Sequence, residues 1–178
     1  MNTIDLSLLI LQLGVGLTFA AHGAQKVFGW WGGPGLAGWE GAMQHMGFRP
    51  ARLFAVTSAG IELVGGLLLA VGFLTPVVAG ILVAQTVVII GHVHWQHGFF
   101  NSKSGFEFPL VLGLGAVAVG LGGPSAIGVD GALGWAFDPA VRGLFLVLGL
   151  IAGLVTLQVP RIEARIEASS HAHARQGG

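Results

Sequence analysis

The chain has 178 residues, of which 53% are hydrophobic and only 9% charged, with no net charge and no cysteine. A soluble domain carries about 25% charged residues, so this chain is too poor in charge to cover a water-facing surface. Its neutrality gives no reason to expect a nucleic-acid partner, and the lack of cysteine excludes disulfide exchange and cysteine-ligated metal clusters.

Five apolar segments in chain order are candidates for membrane-spanning helices. A bilayer core of about 30 Å needs roughly 20 residues of helix, and no segment has the polar face of a soluble helix. The sequence therefore predicts an all-α integral membrane helical bundle with four core transmembrane helices and a fifth, forming one domain over residues 1–160. No basic residue precedes the first segment, so we expect it to be retained rather than cleaved. The segments are 6–28, 51–73, 76–97, the shorter and glycine-rich 108–122, and 141–159, which ends at Pro160.

The loop between the first two segments is rich in tryptophan and glycine. Trp30, Trp31 and Trp39 lie in it, and tryptophan rings favour the headgroup region of a bilayer. We predict an interfacial loop with a turn at 32–35 and a short helix at 36–46. Two interpretations stay open: a surface loop anchored by tryptophan, and a lid over a functional site.

The distribution of basic residues predicts the orientation of the bundle. With five spans, the first loop, the third loop and the C-terminal tail share one side, and only Arg142 lies on the other. Basic residues concentrate on the cytoplasmic side, so we expect the N-terminus outside and the C-terminus in the cytoplasm. The tail, residues 161–178, is expected to be short and disordered, although its His171 and His173 are a weak candidate for metal binding. The basic residues on the cytoplasmic side are Lys26, Arg49, Arg52, Lys103, Arg161, Arg165 and Arg175.

Ionisable residues inside the spans are candidate site residues, because they are costly in a bilayer unless they are paired or face a cavity. Glu62 lies about eleven residues, or roughly 16 Å, into the second segment, with Ser58 one turn before it. It is either a neutral group hydrogen-bonded between helices or a functional residue, namely a proton carrier or a ligand to a polar headgroup. Histidines lie near the cytoplasmic end: His92 and His94 point about 200° apart on a helix, whereas His94 and His97 share a face.

These residues predict one polar pocket that opens to the cytoplasmic leaflet, with apolar walls and Glu62 at its floor. Lys26 is expected to extend from the first segment towards the interface. As candidate catalytic residues we take Glu62, His22, His94 and Glu107, and as cofactor-binding residues Gln25, Lys26, His92 and His97; no metal ligands are assigned.

An ordered set of motifs resembles the DoxX family of membrane proteins over roughly residues 8–134. The resemblance implies a helical membrane bundle, commonly with four core spans, in a bacterial cell (inner) membrane. The family takes its name from a subunit of a thiosulfate:quinone oxidoreductase, and many relatives are labelled oxidoreductases without demonstrated chemistry. The motifs are HGAQK at 22–26, GGPGL at 32–36, ELVGG at 62–66, LTP at 74–76, His94 before GFF at 98–100, and FEFP at 106–109.

Three functions remain open. The favoured one is a quinone-linked oxidoreductase subunit, because quinone chemistry needs an apolar slot, hydrogen-bond donors and proton donors, and histidine titrates near neutral pH. The chain has no flavin or nicotinamide fingerprint, so a partner protein is expected to supply electrons; quinone is the expected cofactor, and a haem held by His22 or a metal is a disfavoured alternative. The others are a membrane adaptor for a soluble redox enzyme and a small proton-coupled transporter. Membrane lipid is an expected partner, and Gly149 and Gly153 form a GxxxG motif that offers a packing face, including one for a homo-oligomer.

Overall fold

The computed structural model describes residues 3–165, and every regular element in that range is helical. Four of the helices there are long and apolar enough to cross a membrane, while the 16-residue helix at Glu107–Gly122 is apolar but shorter. This confirms the predicted all-α membrane bundle. The helices are α1 (Thr3–Phe28), α2 (Gly35–His45), α3 (Ala51–Val71), α4 (Thr75–His97), α5 (Glu107–Gly122), α6 (Val129–Ala132) and α7 (Pro139–Thr156).

Glycine allows the backbones of α1 and α3 to touch. A Cβ atom added to Gly23 would lie 2.2 Å from the Leu63 nitrogen, and one added to Gly66 would lie 2.4 Å from the Ala20 nitrogen. Small residues at such positions let membrane helices approach closely, where dispersion contacts accumulate without a hydrophobic driving force. The close approach fixes the height of α1 against α3, and therefore which side chains of the two helices meet.

The GxxxG motif of the last span packs within the chain. A Cβ atom on Gly149 would lie 2.0 Å from the Gly80 carbonyl oxygen, and one on Gly153 would lie 2.8 Å from the Ala84 oxygen. The motif therefore joins α7 to α4, and this face is already covered by α4.

Two helices contain a π-turn, and both turns coincide with predicted site residues. In α3 the π-turn is Ile61–Gly65, which includes Glu62; in α4 it is Ile90–His94, which includes His92 and His94. A π-turn inserts one extra residue into the helix and rotates the side chains that follow, and such turns are frequent at functional sites.

The C-terminal end of the bundle differs from the sequence prediction in one detail. The predicted interfacial helix is present as α2, but Pro160 does not end the last span: after a turn at 157–158 the helix continues to Arg165. Proline is tolerated there because the first turn of a helix needs no N–H donor. The remainder of the predicted tail, with His171 and His173, lies outside the described residues.

Candidate functional site

A buried ion pair joins α1 to α3. Glu62 is fully buried, and its Oε1 accepts hydrogen bonds from the Lys26 ammonium and from Gln85 Nε2, the latter at 2.9 Å. Lys26 therefore turns inward instead of extending to the interface, because an opposite charge is within reach. The other carboxylate oxygen of Glu62, Oε2, is buried and has no hydrogen-bond partner among the described residues. An unsatisfied buried acceptor costs about 1–3 kcal/mol, so this atom marks a place where a donor from a ligand or from water would be stabilising.

Helix α2, which lies in the loop between α1 and α3, covers the ion pair. The Lys26 nitrogen lies 4.2 Å from the centroid of the Trp39 ring, and Trp39 Nε1 donates to Ser58 Oγ at 2.8 Å. The ring attracts the cation through its quadrupole, while the indole N–H fixes the ring to α3. The Lys26 side chain is only 14% exposed as a result, which favours the interpretation of this loop as a lid.

A cavity of about 150 Å³ lies beside the ion pair, between α1, α4 and α5. Most of its wall is apolar, with the charged and ionisable groups gathered on one side. An apolar cavity of about this volume accommodates a single benzene ring, so the space suits one six-membered ring and is far too small for a haem. Its lining residues are Phe19, His22, Lys26, Trp39, Glu62, Thr86, Ile89, Val93, His94, Phe108, Pro109 and Leu112.

Two histidines face this cavity from opposite helices. The His22 ring packs against Phe108, with 5.5 Å between ring centroids. His94 Nδ1 lies 2.6 Å from the Ser104 carbonyl oxygen; because a carbonyl only accepts, Nδ1 carries the proton, and Nε2 of the neutral ring is then an acceptor. The cavity thus combines an anion, a cation and two groups able to exchange protons.

The other predicted site residues lie elsewhere. His92 packs edge-on against Phe48 at 5.0 Å, on the far side of α4 from His94, as their angular separation predicted. His97 is exposed and its Nδ1 bonds the Val93 carbonyl at 3.1 Å.

Glu107 and Gln25 also lie outside the cavity lining. Glu107 accepts a hydrogen bond from the Asn101 N–H at 3.0 Å, so it orders the loop before α5. Gln25 lines a shallow groove on the outer face of α1, next to His22. Of the eight predicted site residues, the structure therefore gathers His22, Lys26, Glu62 and His94 around one cavity.

Three side chains that contact the ionisable groups of the site were not among the predicted site residues. Trp39 and Phe108 line the cavity, and Gln85 binds Glu62. Gln85 carried a signal, because a polar side chain in the middle of a span needs a partner; the aromatic residues did not, because such rings are common in loops and spans of any membrane protein.

A second cavity lies between α3, α4 and α7. It has a volume of about 480 Å³ and an almost entirely apolar lining, which includes Phe54, Ile81 and Leu148. Ser58 and Gln85 also line it. The wall between the two cavities is formed by two hydrogen bonds, Trp39–Ser58 and Gln85–Glu62. We call this second space the apolar cleft.

Within residues 3–165, no three His, Asp or Glu side chains are grouped so as to hold a metal ion. The donor set of the cavity, one carboxylate paired with an ammonium, suits a neutral hydrogen-bonding ligand better than a metal ion.

The chain matches one protein-family model, that of DoxX, over residues 7–95. This is half of the chain, and it contains the ion pair and both cavity histidines. No curated protein and no solved structure matches the chain.

Proposed function

The chain belongs to the DoxX family and is a multi-pass membrane protein, and from this we propose that it is a quinone-linked oxidoreductase subunit that binds the quinone ring in the cavity beside Glu62. Electrons come from a partner protein, since the ionisable side chains of the cavity exchange protons and not electrons. Reduction of a quinone consumes two electrons and two protons and produces the two hydroxyl groups of a quinol.

The observation that carries the proposal is the unsatisfied Oε2 atom of Glu62, a residue that lines a cavity sized for one ring. A quinol hydroxyl would supply the donor that Oε2 lacks, and the N–H of the His22 ring is a donor for a quinone carbonyl. The residues present therefore fit both redox forms of the ring. Phe19, Phe108 and Leu112 supply the apolar faces that exclude water from it.

Each polar residue has a distinct part in this scheme. Lys26 holds a positive charge beside Glu62, which keeps the carboxylate in place as an acceptor. His94 is anchored to the Ser104 carbonyl and leaves Nε2 to receive a proton from the aqueous end. Trp39 excludes water from the cavity on the side of α2.

The quinone content of the gently purified protein tests this proposal, with lipid extraction and mass spectrometry of the wild type and of Glu62→Gln. We expect about one quinone per wild-type chain and roughly a tenfold smaller amount in Glu62→Gln, which from near saturation requires the dissociation constant to rise by more than tenfold. Glu40→Gln is the matched control, because Glu40 lies on α2, pairs with Arg52 at 3.6 Å and is not among the residues that line the cavity. A folded wild type without quinone, or equal quinone in both variants, would contradict the proposal.

A proton-coupled transporter is the second candidate, and the Lys26–Glu62 pair favours it. A buried acid and base that face a cavity are also the parts of a proton relay. Proton-coupled solute flux in liposomes, abolished by Glu62→Gln, would support this function in place of the first. The adaptor hypothesis rests on the basic tail, most of which lies outside the described residues.

A further inference from the structure

A shallow groove runs along the outer face of α1, directly beside the cavity. It has a volume of about 390 Å³ and is lined by Leu17, Thr18, Ala21, His22, Gln25 and Trp31. The groove extends from Leu17 to Gln25 on α1, a rise of about 12 Å along the helix, and then reaches Trp31 in the loop. We call this space the outer groove.

His22 is shared between the outer groove and the cavity, since its side chain lines both. Beside it stands Phe108, which packs against the His22 ring and is 41% exposed. The partition between groove and cavity therefore consists of two side chains rather than backbone. Exposed side chains change rotamer within nanoseconds, so a small movement of Phe108 is enough to join the two spaces.

The wall of the cavity towards the apolar cleft is closed more firmly. Towards the apolar cleft, the wall is made by the Gln85–Glu62 hydrogen bond and the Trp39–Ser58 hydrogen bond. Both would have to break for a ligand to pass, and Gln85 and Glu62 are buried. A ligand that enters from the outer groove therefore needs less rearrangement than one that enters from the apolar cleft.

The outer groove has an apolar end and a polar end. Leu17 and Ala21 lie on the side of the membrane interior, whereas Gln25 and Trp31 lie towards the loop. Thr18 contributes little polarity, because its hydroxyl is already bonded to the Gly14 carbonyl at 2.6 Å. Trp31 is 70% exposed and holds a left-handed backbone with φ of 51°, so its ring borders the groove at the level where tryptophan meets headgroups.

We propose that the outer groove is the binding site for the hydrocarbon chain of a ring-headed, amphipathic membrane ligand, and that His22 and Phe108 form the portal through which its ring enters the cavity. The identity of the ring rests on the proposed function. The cavity holds about one ring, so a chain attached to that ring must lie outside it. The outer groove shares His22 with the cavity and continues it towards the interior of the bilayer, where a hydrocarbon chain is stable.

The test compares two matched substitutions on the lipid-facing surface. Leu17 in the outer groove is 52% exposed, and Ile81 in the apolar cleft is 42% exposed. Leu17→Trp fills the groove, whereas Ile81→Trp fills the cleft, and both add the same ring at an exposed position. Affinity is measured in nanodiscs for two radiolabelled probes, a decyl-benzoquinone and the same ring without its chain.

We expect Leu17→Trp to weaken binding of the decyl probe at least tenfold and to leave the ring-only probe within twofold of wild type. Ile81→Trp should leave both probes unchanged. Should Leu17→Trp fail to fold, Ala21→Phe fills the same groove from the next turn of α1 and has the same expected result.

Each of three other outcomes would contradict a specific part of the proposal. If both probes bind and Leu17→Trp does not discriminate between them, the groove proposal is wrong while the quinone proposal stands. If Ile81→Trp weakens the decyl probe instead, the chain lies in the apolar cleft. If neither probe binds the folded wild type, the proposed function fails, and the groove proposal fails with it.

Discussion

Lys26 and Glu62 form an ion pair between α1 and α3, although 36 residues separate them in the sequence. The pair depends on the packing below it, because Gly23 lies against the Leu63 backbone and brings the ends of the two helices together. Two charges that would each be costly in a bilayer are thereby placed at one point, where each satisfies the other.

The Lys26–Glu62 pair should behave as one energetic unit. Lys26→Met leaves a buried carboxylate without its counter-charge and should destabilise the protein by about 3–5 kcal/mol. Adding Glu62→Gln removes that charge. The double variant should therefore lose roughly 1–3 kcal/mol less unfolding free energy than the two single variants lose together. Unfolding of the three variants in mixed micelles measures these free energies. Additive effects would show that the two groups do not interact.

The contact between α1 and α3 should be sensitive to a single methyl group. Gly23→Ala places a Cβ atom 2.2 Å from the Leu63 nitrogen, whereas the Cβ atom of Gly14→Ala on the same helix meets nothing within 4 Å. We expect Gly23→Ala to cost about 1–3 kcal/mol through overpacking and to separate Lys26 from Glu62. Gly14→Ala should be neutral or slightly stabilising. The free energies of unfolding, measured side by side, check this; equal values would contradict the described packing.

Asp130 should be the most important polar residue at the opposite end of the bundle. It is fully buried and accepts hydrogen bonds from the N–H groups of Leu74 and Thr75 and from the Thr75 hydroxyl, each at 2.8 Å. These bonds cap the start of α4, so Asp130→Ala should destabilise the protein by roughly 2–4 kcal/mol. Asp138→Ala is the control, since Asp138 makes one exposed cap bond, to the Ala140 N–H, worth about 1 kcal/mol. Thermal unfolding that ranks them in the reverse order would refute this account.

Trp39 should act through both its ring and its N–H. Trp39→Phe keeps an aromatic face above Lys26 but loses the hydrogen bond to Ser58, so we expect a loss of about 1 kcal/mol and a lid that opens more often. Trp39→Ala removes both contacts and should expose the ion pair to water. Hydrogen–deuterium exchange of α2 measures the opening; unchanged exchange in Trp39→Ala would show that α2 is held by other contacts.

The fold was predictable from the sequence because each span is apolar on all sides, a signal that depends on composition rather than on tertiary contacts. The candidate cavity was predictable in outline for a similar reason: an acid such as Glu62 in the middle of a span must find a partner or a cavity. The opposite positions of His92 and His94 also followed from helical geometry alone.

The details of the site could not be predicted, because they depend on tertiary packing. The π-turns in α3 and α4 shift the side chains by one position, and nothing in the local sequence specifies them. The inward direction of Lys26 depends on the close approach at Gly23, and the role of Trp39 depends on where α2 folds back. Sequence spacing treats each helix separately, whereas this site is built between helices.

The most direct test of the central claim is photolabelling of the purified protein in nanodiscs with an azido-benzoquinone, followed by peptide mass spectrometry. The account predicts labels on residues that line the cavity, with Phe108 and His94 foremost, and at least a tenfold loss of label in Glu62→Gln. Labels confined to the apolar cleft, around Phe54 and Leu148, or label at the cavity that is unchanged in Glu62→Gln, would contradict the claim that Glu62 binds a quinone ring.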